Sequence, residues 1–374
     1  MSQENATRTR VALLFGGRSP EHAVSCVTAA GILRVLDPEK YDVVPIGITR
    51  QGQWTITRSD PESWSLSSGK PPEIEASGES LQLARTDGGS ELIGHSDSGA
   101  FRSLGSVDVV FPVLHGSFGE DGTVQGLLEL ADIPYVGSGV AASAIGMDKH
   151  FAKLAFEAAG LEVGPYEVIT DKQWQRDRDG SLARVARLAY PLFVKPARAG
   201  SSVGVSRVAD DAGLVEAIEA AREHDPKVII EEGIAGREIE CGVLEGRGSE
   251  LPRTSLPGEI AVTAGTDTFY DFNAKYVDGG AAELSCPADL PQEQVSAIRE
   301  YAAVAFDAIG GEGLARVDFF YTDDGRWVIN EINTMPGFTP ISMYPRIWNE
   351  TGINYADLVD ELIWLAMNRR TGLR

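Results

Sequence analysis

The stretch 315-ARVDFFYTDDGRWVINEIN-333 holds two apolar runs joined by Asp324-Gly325. An Asp-Gly pair between two such runs is a strong signal of a β-hairpin with a two-residue turn. A hairpin that is symmetric about this turn gathers several polar side chains opposite one another. The predicted pairs are Asp323 with Arg326, Asp318 with Glu331, and Arg316 with Asn333.

Four polar side chains share one face of this predicted hairpin, because side chains alternate along a strand. They are Arg316, Asp318, Glu331 and Asn333. Oxygen-rich sets of this kind suit Mg²⁺ bridged to substrate phosphates. The alternative is a solvated polar face with one cross-strand ion pair. The apolar residues between them indicate buried strands, where clustered carboxylates are costly unless a metal neutralises them. The sequence therefore favours the metal site.

Two segments outside the hairpin could meet substrate. Residues 197–205, ARAGSSVGV, form a Gly/Ser loop between predicted strands, and such loops offer backbone amides to phosphate oxygens. Lys195 ends the strand before this loop and Lys149 begins a helix, so both supply local cations. A flexible surface turn is the alternative interpretation. After the hairpin, Gly337 in TMPGFTPISMYP would let backbone amides approach a reacting centre.

The N-terminal part predicts a small open α/β domain. Residues 11–17, VALLFGG, are typical of a buried parallel strand, and Ser19 would cap the helix that follows, with Pro20 in its first turn. Glu21 lies in that turn, where small ligands often bind, although a first-turn acid also complements the helix dipole. His115 in HGSFGEDG is either a ligand-binding or a turn residue.

A dinucleotide-binding fold is a second interpretation of this region. Residues 137–142, GSGVAA, match G-x-G-x-x-A after a predicted strand, and Glu157 has about the spacing of a ribose-binding acid. A single match of this kind is weak. A dehydrogenase would also leave the hairpin carboxylates and the Gly/Ser loop without a function, so we rank it lower.

Composition limits the domains and partners of the chain. A length of 374 residues predicts two or three domains. The 33 basic against 55 acidic residues give a net charge of −22, which repels phosphate backbones and anionic lipids. We therefore expect no nucleic-acid or membrane partner. Three distant cysteines and a short N-terminal apolar run predict a cytoplasmic protein with reduced thiols.

Residues 53–106 differ from the rest of the chain. They are rich in Gly, Ser, Asp and Glu and show little sustained apolar period. We interpret them as peripheral connections. Later residues alternate predicted strands with helices, including a long helix that begins near Gln292.

The motifs of the chain, in their order, resemble those of the D-alanine–D-alanine ligases of the ATP-grasp superfamily. They are GGRSPEHAVS, HGSFGEDGTVQGLLEL, GMDK, FVKPARAGSSVGVS, FYDFNAKY, ARVDFF and NEINTMPGFT. The resemblance implies an α/β, partly α+β, fold of three domains. These are an N-terminal α/β domain at 1–136, a central ATP-grasp subdomain at 137–231, and a C-terminal ATP-grasp subdomain at 232–374 that carries the metal and substrate sites.

The resemblance also implies which residues bind ATP and metal. ATP would lie between the second and third domains, bound by Lys149, Lys195, Ser202, Glu231, Glu232, Gly233, Ile234 and Glu238. Two Mg²⁺ ions, or Mn²⁺, would be held by Asp318, Glu331 and Asn333, the face predicted from the hairpin. Gly233 departs from the family pattern, since relatives often carry a bulky residue there.

The implied reaction joins two D-alanine molecules for peptidoglycan precursor synthesis. The carboxylate of the first attacks the γ-phosphate of ATP, and the amine of the second attacks the resulting acyl phosphate. The implied catalytic residues are Glu21, Ser201, Tyr276, Arg316 and Gly337. The implied substrate-binding residues are His115, Lys275, Ser342 and Met343. Residues 259–276 resemble a lid that excludes water.

Alternatives remain within and outside this family. Tyr276 favours an amine as the second substrate, so a D-alanine–D-lactate or broader D-amino-acid ligase ranks second. A non-catalytic nucleotide-binding protein on the same fold belongs to another class, and the intact polar set of the hairpin speaks against it. A homodimer is implied by the family and by no sequence pattern.

Overall fold

The apolar run at residues 11–15 forms the centre of a parallel sheet in the computed structural model. The structure describes residues 8–57, 61–64, 71–76, 79–86, 89–96, 98–262, 282–370 and 372. All five side chains of the run are fully buried. Lys275, Tyr276 and most of the segment 259–276 lie outside the described residues, so the predictions on them stay predictions. No helix in the described part of the chain is long and apolar enough to cross a membrane.

The N-terminal sheet has the strand order β3-β2-β1-β7, with β1 parallel to β2 and β7 and β3 antiparallel to β2. Parallel strands bring their carboxyl ends to one edge, and Glu21 and His115 follow β1 and β7 there. The strands are β1 (Thr9–Gly16), β2 (Tyr41–Ile48), β3 (Trp54–Ile56) and β7 (Val109–Pro112), and the helices are α1 (His22–Val35), α2 (Thr123–Ala131) and α3 (Val140–Met147).

Helix α1 begins later than the sequence predicted. Glu21 is its N-cap residue and makes no side-chain cap bond. Ser19 does not cap the helix: its Oγ accepts from the Glu21 N–H at 2.9 Å, and its carbonyl accepts from the His22 N–H at 3.2 Å. The predicted cap was therefore wrong. Ser19 instead fixes the turn that presents the Glu21 carboxylate.

Residues 53–106 contain more regular structure than the sequence predicted. A 3₁₀ helix spans Pro61–Trp64, and β4 (Glu79–Thr86), β5 (Gly89–Ser96) and β6 (Phe101–Ser106) form a three-stranded antiparallel sheet. The buried positions of β5 alternate as in any half-buried strand, but Ser90 and Gly94 occupy two of them beside Leu92. The apolar period is therefore lost from the sequence, and the interpretation as connections alone was wrong.

The central sheet is entirely antiparallel, with the order β10-β9-β11-β8. Asp148 accepts from the N–H groups of His150 and Phe151, which starts α4 at Lys149. The strands are β8 (Tyr166–Thr170), β9 (Leu192–Pro196), β10 (Ser206–Val208) and β11 (Lys227–Glu232), and the helices are α4 (Lys149–Ala158), α5 (Asp171–Arg176), α6 (Arg178–Val185) and α7 (Asp211–His224).

The C-terminal sheet has the order β15-β14-β12-β16-β17, with β13 also paired to β12. Helices α3 and α4 pack on it through Ala142, Ala152 and Phe156. The strands are β12 (Arg237–Leu244), β13 (Arg253–Thr254), β14 (Gly258–Val262), β15 (Ala282–Ser285), β16 (Leu314–Tyr321) and β17 (Trp327–Asn333), and the helices are α8 (Gln292–Ala308), α9 (Met343–Thr351) and α10 (Tyr355–Asn368).

The hairpin β16–β17 has the predicted pairing at its functional end and a different turn. Arg316 lies opposite Asn333 and Asp318 opposite Glu331, as predicted. At the turn, however, the Thr322 N–H donates to the Arg326 carbonyl at 3.0 Å, so the loop between these two residues has three members, and Gly325 in it has φ +83°. The predicted pair of Asp323 with Arg326 was therefore wrong.

A bulge restores the register between the turn and the site. Phe319 pairs with Ile329 while Asp318 pairs with Glu331, so Asn330 is an extra residue on β17. The longer loop shifts the pairing by one residue, and the bulge shifts it back. The polar residues face one another as predicted because these two irregularities cancel.

Arg369, just after α10, joins the N-terminal and C-terminal sheets. Its guanidinium donates to the carbonyls of Tyr135 and Gly137 at 2.7 and 2.9 Å and contacts Glu245 and Glu312 at 3.2 and 3.8 Å. The side chain is only 9% exposed. The planar guanidinium group thus donates hydrogen bonds to two carbonyls on one side and forms ion pairs with two carboxylates on the other.

Replacing this arginine should destabilise the joint between the two sheets. We expect Arg369→Ala to lower the free energy of unfolding by about 1–3 kcal/mol, because buried carbonyls and carboxylates lose their donor. Thermal unfolding followed by circular dichroism measures the change. Arg370→Ala, at the exposed neighbouring residue, is the control, and an equal melting temperature for the two variants would contradict this role.

Candidate active site

A cleft of about 690 Å³ lies where the three larger sheets meet. It collects ten of the residues that the sequence analysis singled out, from five separate regions of the chain, whereas Asp318 and the residues predicted to bind ATP at 195, 202, 231–234 and 238 are not in its lining. The predicted residues that line it are Glu21, His115, Lys149, Ser201, Arg316, Glu331, Asn333, Gly337, Ser342 and Met343.

Arg316 lies at the floor of this cleft, and carboxylates surround its guanidinium group. Its Nε and Nη2 donate to the two oxygens of Asp318, each at 2.7 Å, and its Nε lies 3.2 Å from Glu240 Oε1. The Asn333 Nδ2 donates to Asp318 Oδ2 at 3.0 Å. Burial by itself lowers the pKa of Arg316, but the surrounding carboxylates hold it well above its ordinary value. The guanidinium is therefore permanently charged.

Lys149 closes the other side of the hairpin face. Its Nζ lies 3.3 Å from Glu331 Oε2 and donates to the Ala199 carbonyl at 2.9 Å. Ala199 belongs to the Gly/Ser loop, so one ammonium group joins the start of α4, this loop and β17. The lysine is placed to meet any phosphate that enters between the loop and the hairpin carboxylates.

Lys195 and Lys153 share the carboxylate of Glu231. The distances are 2.5 Å from Lys195 Nζ to Oε2 and 2.7 Å from Lys153 Nζ to Oε1. Burial alone would raise the pKa of Glu231, but the two ammonium groups hold it well below its usual range. The charges of Glu231, Glu331 and Glu238 raise the pKa of Lys195 against the effect of its burial. Lys195 thus stays cationic near Glu231 and Glu238, two of the three glutamates predicted to bind ATP.

The segment predicted to line adenine follows β11. The N–H groups of Glu232 and Gly233 donate to the carbonyls of Pro165 and Pro191, at 3.0 and 2.8 Å. These two residues would therefore meet a base through their carbonyl oxygens. A Cβ on Gly233 would lie 3.0 Å from the Pro191 carbonyl oxygen and 3.1 Å from the Phe193 ring. Close packing against β9 is consistent with glycine at this position.

Glu21 and Ser201 meet across the cleft. The Ser201 Oγ donates to Glu21 Oε1, although the residues are 180 positions apart. Ser201 and Ser202 have φ of +49° and +58°, a left-handed conformation that non-glycine residues seldom adopt outside functional loops. A Cβ on Gly116 would lie 2.4 Å from Glu21 Oε2. The carboxylate is thus enclosed by backbone that only glycine permits at that distance.

His115 uses both ring nitrogens within the protein. Nδ1 lies 3.0 Å from the Met335 carbonyl and Nε2 lies 3.3 Å from Thr28 Oγ1. The carbonyl requires a proton on Nδ1, so Nε2 accepts from the hydroxyl. Burial lowers the pKa of His115 more than the charge of Glu21 raises it. The neutral ring thus ties the loop after β17 to α1, and its substrate contact stays a prediction.

The loop after β17 and the start of α9 form the remaining wall. Ser342 is the N-cap residue of α9, and its Oγ lies 2.7 Å from Thr339 Oγ1. Helix N-termini present N–H groups that suit a carboxylate. Gly337, Ser342 and Met343 all line the cleft. This wall is consistent with the predicted binding of a substrate carboxylate and stabilisation of an oxyanion.

Three residues of this region were missed by the sequence analysis: Glu120, Lys153 and Glu240. Glu120 lies in HGSFGEDG, where only His115 was considered. Lys153 is four residues after Lys149, one helical turn along α4. Glu240 is two residues after Glu238 on β12, and strand alternation predicts that both share a face. These sequence positions were visible, but a solvent-exposed position on the surface was the more common interpretation for each of the three side chains.

Comparison with known proteins identifies the family. Residues 10–138 match the family model for the N-terminus of D-Ala–D-Ala ligases and residues 155–364 the model for the C-terminus. A D-alanine–D-alanine ligase of Arthrobacter sp. (strain FB24) is 63% identical over 98% of this chain and 96% of its own. The chain belongs to the D-alanine–D-alanine ligase family. A further relative, from Streptomyces coelicolor, is 51% identical over 98% of this chain and 95% of its own.

Solved structures share the three-domain ATP-grasp fold of the family. The D-alanine–D-alanine ligase of Coxiella burnetii is 33% identical, with a TM-score of 0.79 over 97% of this chain and 95% of that one. The VanG D-Ala:D-Ser ligase of Enterococcus faecalis is 34% identical, with a TM-score of 0.80 over 96% and 100%. Ligases named for different second substrates thus share this fold, and the dehydrogenase interpretation of residues 137–142 is excluded.

Glu120 is a buried carboxyl group within the family motif HGSFGEDG. Its oxygens accept from the N–H groups of Gly116 and Met335, at 2.7 and 3.1 Å. Burial first, and the charge of Glu21 second, raise the pKa of Glu120 to about 8, against the effect of these N–H groups. Glu120 is therefore mostly protonated at pH 7.

This raised pKa predicts a pH dependence of stability. Between the ordinary value of 4.5 and about 8, the folded chain keeps a proton that the unfolded chain has released. The contribution of Glu120 to stability should therefore fall as pH rises through that window, by at most about 1.4 kcal/mol per pH unit. Urea unfolding at pH 5–9 should show a flatter profile for Glu120→Gln than for the wild type. Glu223→Gln, exposed on α7, is the control, and an unchanged slope in Glu120→Gln would refute the assignment.

Proposed function

We propose that this chain catalyses the ATP-dependent ligation of two D-alanine molecules to D-alanyl-D-alanine for peptidoglycan precursor synthesis, in the cytoplasm. The family assignment supports the reaction. The observation that carries it for this chain is the cleft itself: the Glu21–Ser201 pair, the Arg316 guanidinium and the Glu331 carboxylate line one cavity, and Asp318 accepts hydrogen bonds from that guanidinium. An ammonium group, a carboxylate and a chelated nucleotide can each find a complementary partner there.

The first D-alanine would lie between Glu21 and Arg316. The enclosed carboxylate of Glu21 suits its ammonium group, and the guanidinium suits its carboxylate. Tyr276, the third member of the proposed ammonium network, lies outside the described residues. The second D-alanine would place its carboxylate at the N–H groups of Ser342 and Met343, at the start of α9.

The hairpin face fits Mg²⁺ as its metal. Asp318 and Glu331 supply carboxylate oxygens and Asn333 an amide oxygen, which is the donor chemistry that Mg²⁺ prefers. The described residues contain no cluster of three or more His, Cys, Asp and Glu side chains placed to hold a metal. The three hairpin residues would thus need phosphate oxygens of ATP to complete the coordination, as is usual for this ion. Bound there, Mg²⁺ would neutralise charge on the phosphates.

The residues of the chain support two successive steps. Lys149 and Lys195 would hold the phosphates while the carboxylate oxygen of the first D-alanine attacks the γ-phosphorus and ADP leaves. The amine of the second D-alanine then attacks the acyl carbon, and inorganic phosphate leaves. Arg316 and the Gly337 amide would stabilise the negative oxygen of the tetrahedral intermediate. The protein itself forms no covalent bond.

The decisive experiment measures ADP release with ATP and Mg²⁺, in the presence of D-alanine, L-alanine, D-serine, D-lactate or no addition. Mass spectrometry identifies the product. We expect D-alanine-dependent ADP release and D-alanyl-D-alanine. Nucleotide binding without D-alanine-dependent turnover would refute the proposed function, and preferential coupling of D-lactate or D-serine would refute the second substrate.

Asp318→Asn should abolish most of this turnover. The substitution keeps the size of the side chain but removes the charge that we assign to the metal, and such charge stabilisation is worth several kcal/mol. We expect kcat to fall about 100-fold or more in a chain that still folds, with a lowered melting temperature because the buried Arg316 loses its charged partner. The control is Asp323→Asn, on the exposed turn of the same hairpin. Wild-type turnover in Asp318→Asn would remove the metal assignment.

The assembly is proposed to be a homodimer. Exposed apolar side chains support it, since Leu127 and Leu130 on α2 lie on the surface and Leu130 is 84% exposed. Size-exclusion chromatography with light scattering should give twice the chain mass of 40.1 kDa, and Leu130→Glu should reduce it. Leu251→Glu, at a residue 83% exposed elsewhere, is the control. A monomeric wild type would contradict the proposal.

A further inference from the structure

Glu240 stands out among the residues of the cleft to which no ligand was assigned. It lies on β12 directly opposite Asp318 on β16, and its side chain is 6% exposed. Its Oε1 lies 3.2 Å from Arg316 Nε. A carboxylate this deeply buried is costly unless a cation accompanies it. Arg316 is that cation, so the two residues are coupled by charge as well as by distance.

Arg316 is therefore shared by two carboxylates that lie on adjacent strands. Asp318 takes the better geometry, since both of its oxygens accept hydrogen bonds from the guanidinium at 2.7 Å. Nε carries a single hydrogen, and that hydrogen points to Asp318 Oδ1. The contact of Nε with Glu240 is thus an ion pair whose hydrogen bond is taken by the competing aspartate.

A metal at the hairpin would change this balance. Each Asp318 oxygen has two lone pairs, so Asp318 can coordinate a cation while it accepts from Arg316, but a cation there would draw charge from the oxygens and weaken both hydrogen bonds. When Asp318 is shared with the metal, the guanidinium loses part of its two-point pairing, and Glu240 is the buried carboxylate that remains within reach of Nε. Without Glu240 the arginine would compete with the metal for Asp318 or would leave the position that faces the substrate.

We propose that Glu240 is a positioning residue that holds Arg316 at the reacting carboxyl group while Asp318 binds the metal. The inference rests on the proposed ligase function and its hairpin metal site, and it deepens them. One arginine can then serve as the counterion of Asp318 in the metal-free enzyme and as the oxyanion donor in the loaded enzyme. The guanidinium keeps its charge in both states, because arginine is not deprotonated in proteins.

Two substitutions separate the charge of Glu240 from its position. Glu240→Gln keeps the shape and removes the charge, whereas Glu240→Asp keeps the charge and withdraws it by one methylene. We expect Glu240→Gln to lower kcat by about 10- to 100-fold, in the range seen for residues that orient a functional group, and to raise KM for ATP, because the metal–nucleotide complex binds more weakly. We expect Glu240→Asp to keep a reduced kcat.

Metal affinity gives a readout that needs no turnover. Isothermal titration with the Mn²⁺–ADP complex should show a dissociation constant raised about 10-fold in Glu240→Gln. Without the charge of Glu240, Arg316 interacts more strongly with Asp318 and competes with the metal for that carboxylate. Glu240→Asp should return this constant close to that of the wild type, since the charge is restored. ADP without metal should bind all variants alike.

A matched control and a double-mutant cycle test whether the effect passes through Arg316. Glu361→Gln removes another buried carboxylate that is paired with arginines, Arg247 and Arg253, away from the cleft. It should lower the melting temperature without changing kcat or the Mn²⁺–ADP constant. In an Arg316→Lys background, Glu240→Gln should cause little further loss.

Three results would overturn the inference. These are wild-type kcat and Mn²⁺–ADP affinity in a folded Glu240→Gln, full recovery of kcat in Glu240→Asp, or independent multiplication of the losses in the double variant. If the wild type makes no D-alanyl-D-alanine, the proposed function fails on its own. The Mn²⁺–ADP titration then still decides whether Glu240 keeps Arg316 away from Asp318.

Discussion

The ion pair between Arg316 and Asp318 is the interaction on which the organisation of the cleft depends. The neighbouring strands β12, β16 and β17 bring together three carboxylates, those of Glu240, Asp318 and Glu331. The chain as a whole already carries a net charge of −22. Such a cluster folds only if cations accompany it. Arg316 and Lys149 supply the charge from within the sheet and from the start of α4. The same cations are then in place to meet anionic groups of the substrates.

Lysines near the proposed nucleotide site accompany a buried carboxylate of the central sheet in the same way. Glu231 is buried between Lys153 and Lys195, so this acidic protein concentrates positive charge where phosphates would enter. The arrangement explains how a chain that repels polyanions as a whole can still bind a nucleotide. The charged side chains within the cleft, and not the net charge of the whole chain, therefore decide which ligands can bind there.

The sequence predicted the site better than it predicted the connections around it. Strand alternation placed Arg316 with Asp318 and Glu331 with Asn333, and the symmetric register predicted for the hairpin placed the two pairs opposite each other. The turn was wrong, since an Asp-Gly pair signals a short loop but does not fix its length. That error cancelled against the bulge at Asn330, which leaves no mark in an apolar pattern. The small sheet was missed because serine and glycine fill buried positions of β5.

Long-range contacts explain what sequence reasoning could not supply. Glu120, Lys153 and Glu240 gain their roles from partners on other elements, and no local pattern reveals a burial that tertiary packing creates. The bond between Ser201 and Glu21 is a contact of this type. It spans the cleft, from the Gly/Ser loop of the central sheet to the turn before α1. A ligand group that binds the Glu21 carboxylate would therefore compete with the Ser201 hydroxyl for the same oxygens. Occupancy of this end of the cleft and the position of the Gly/Ser loop would then be linked through one hydrogen bond.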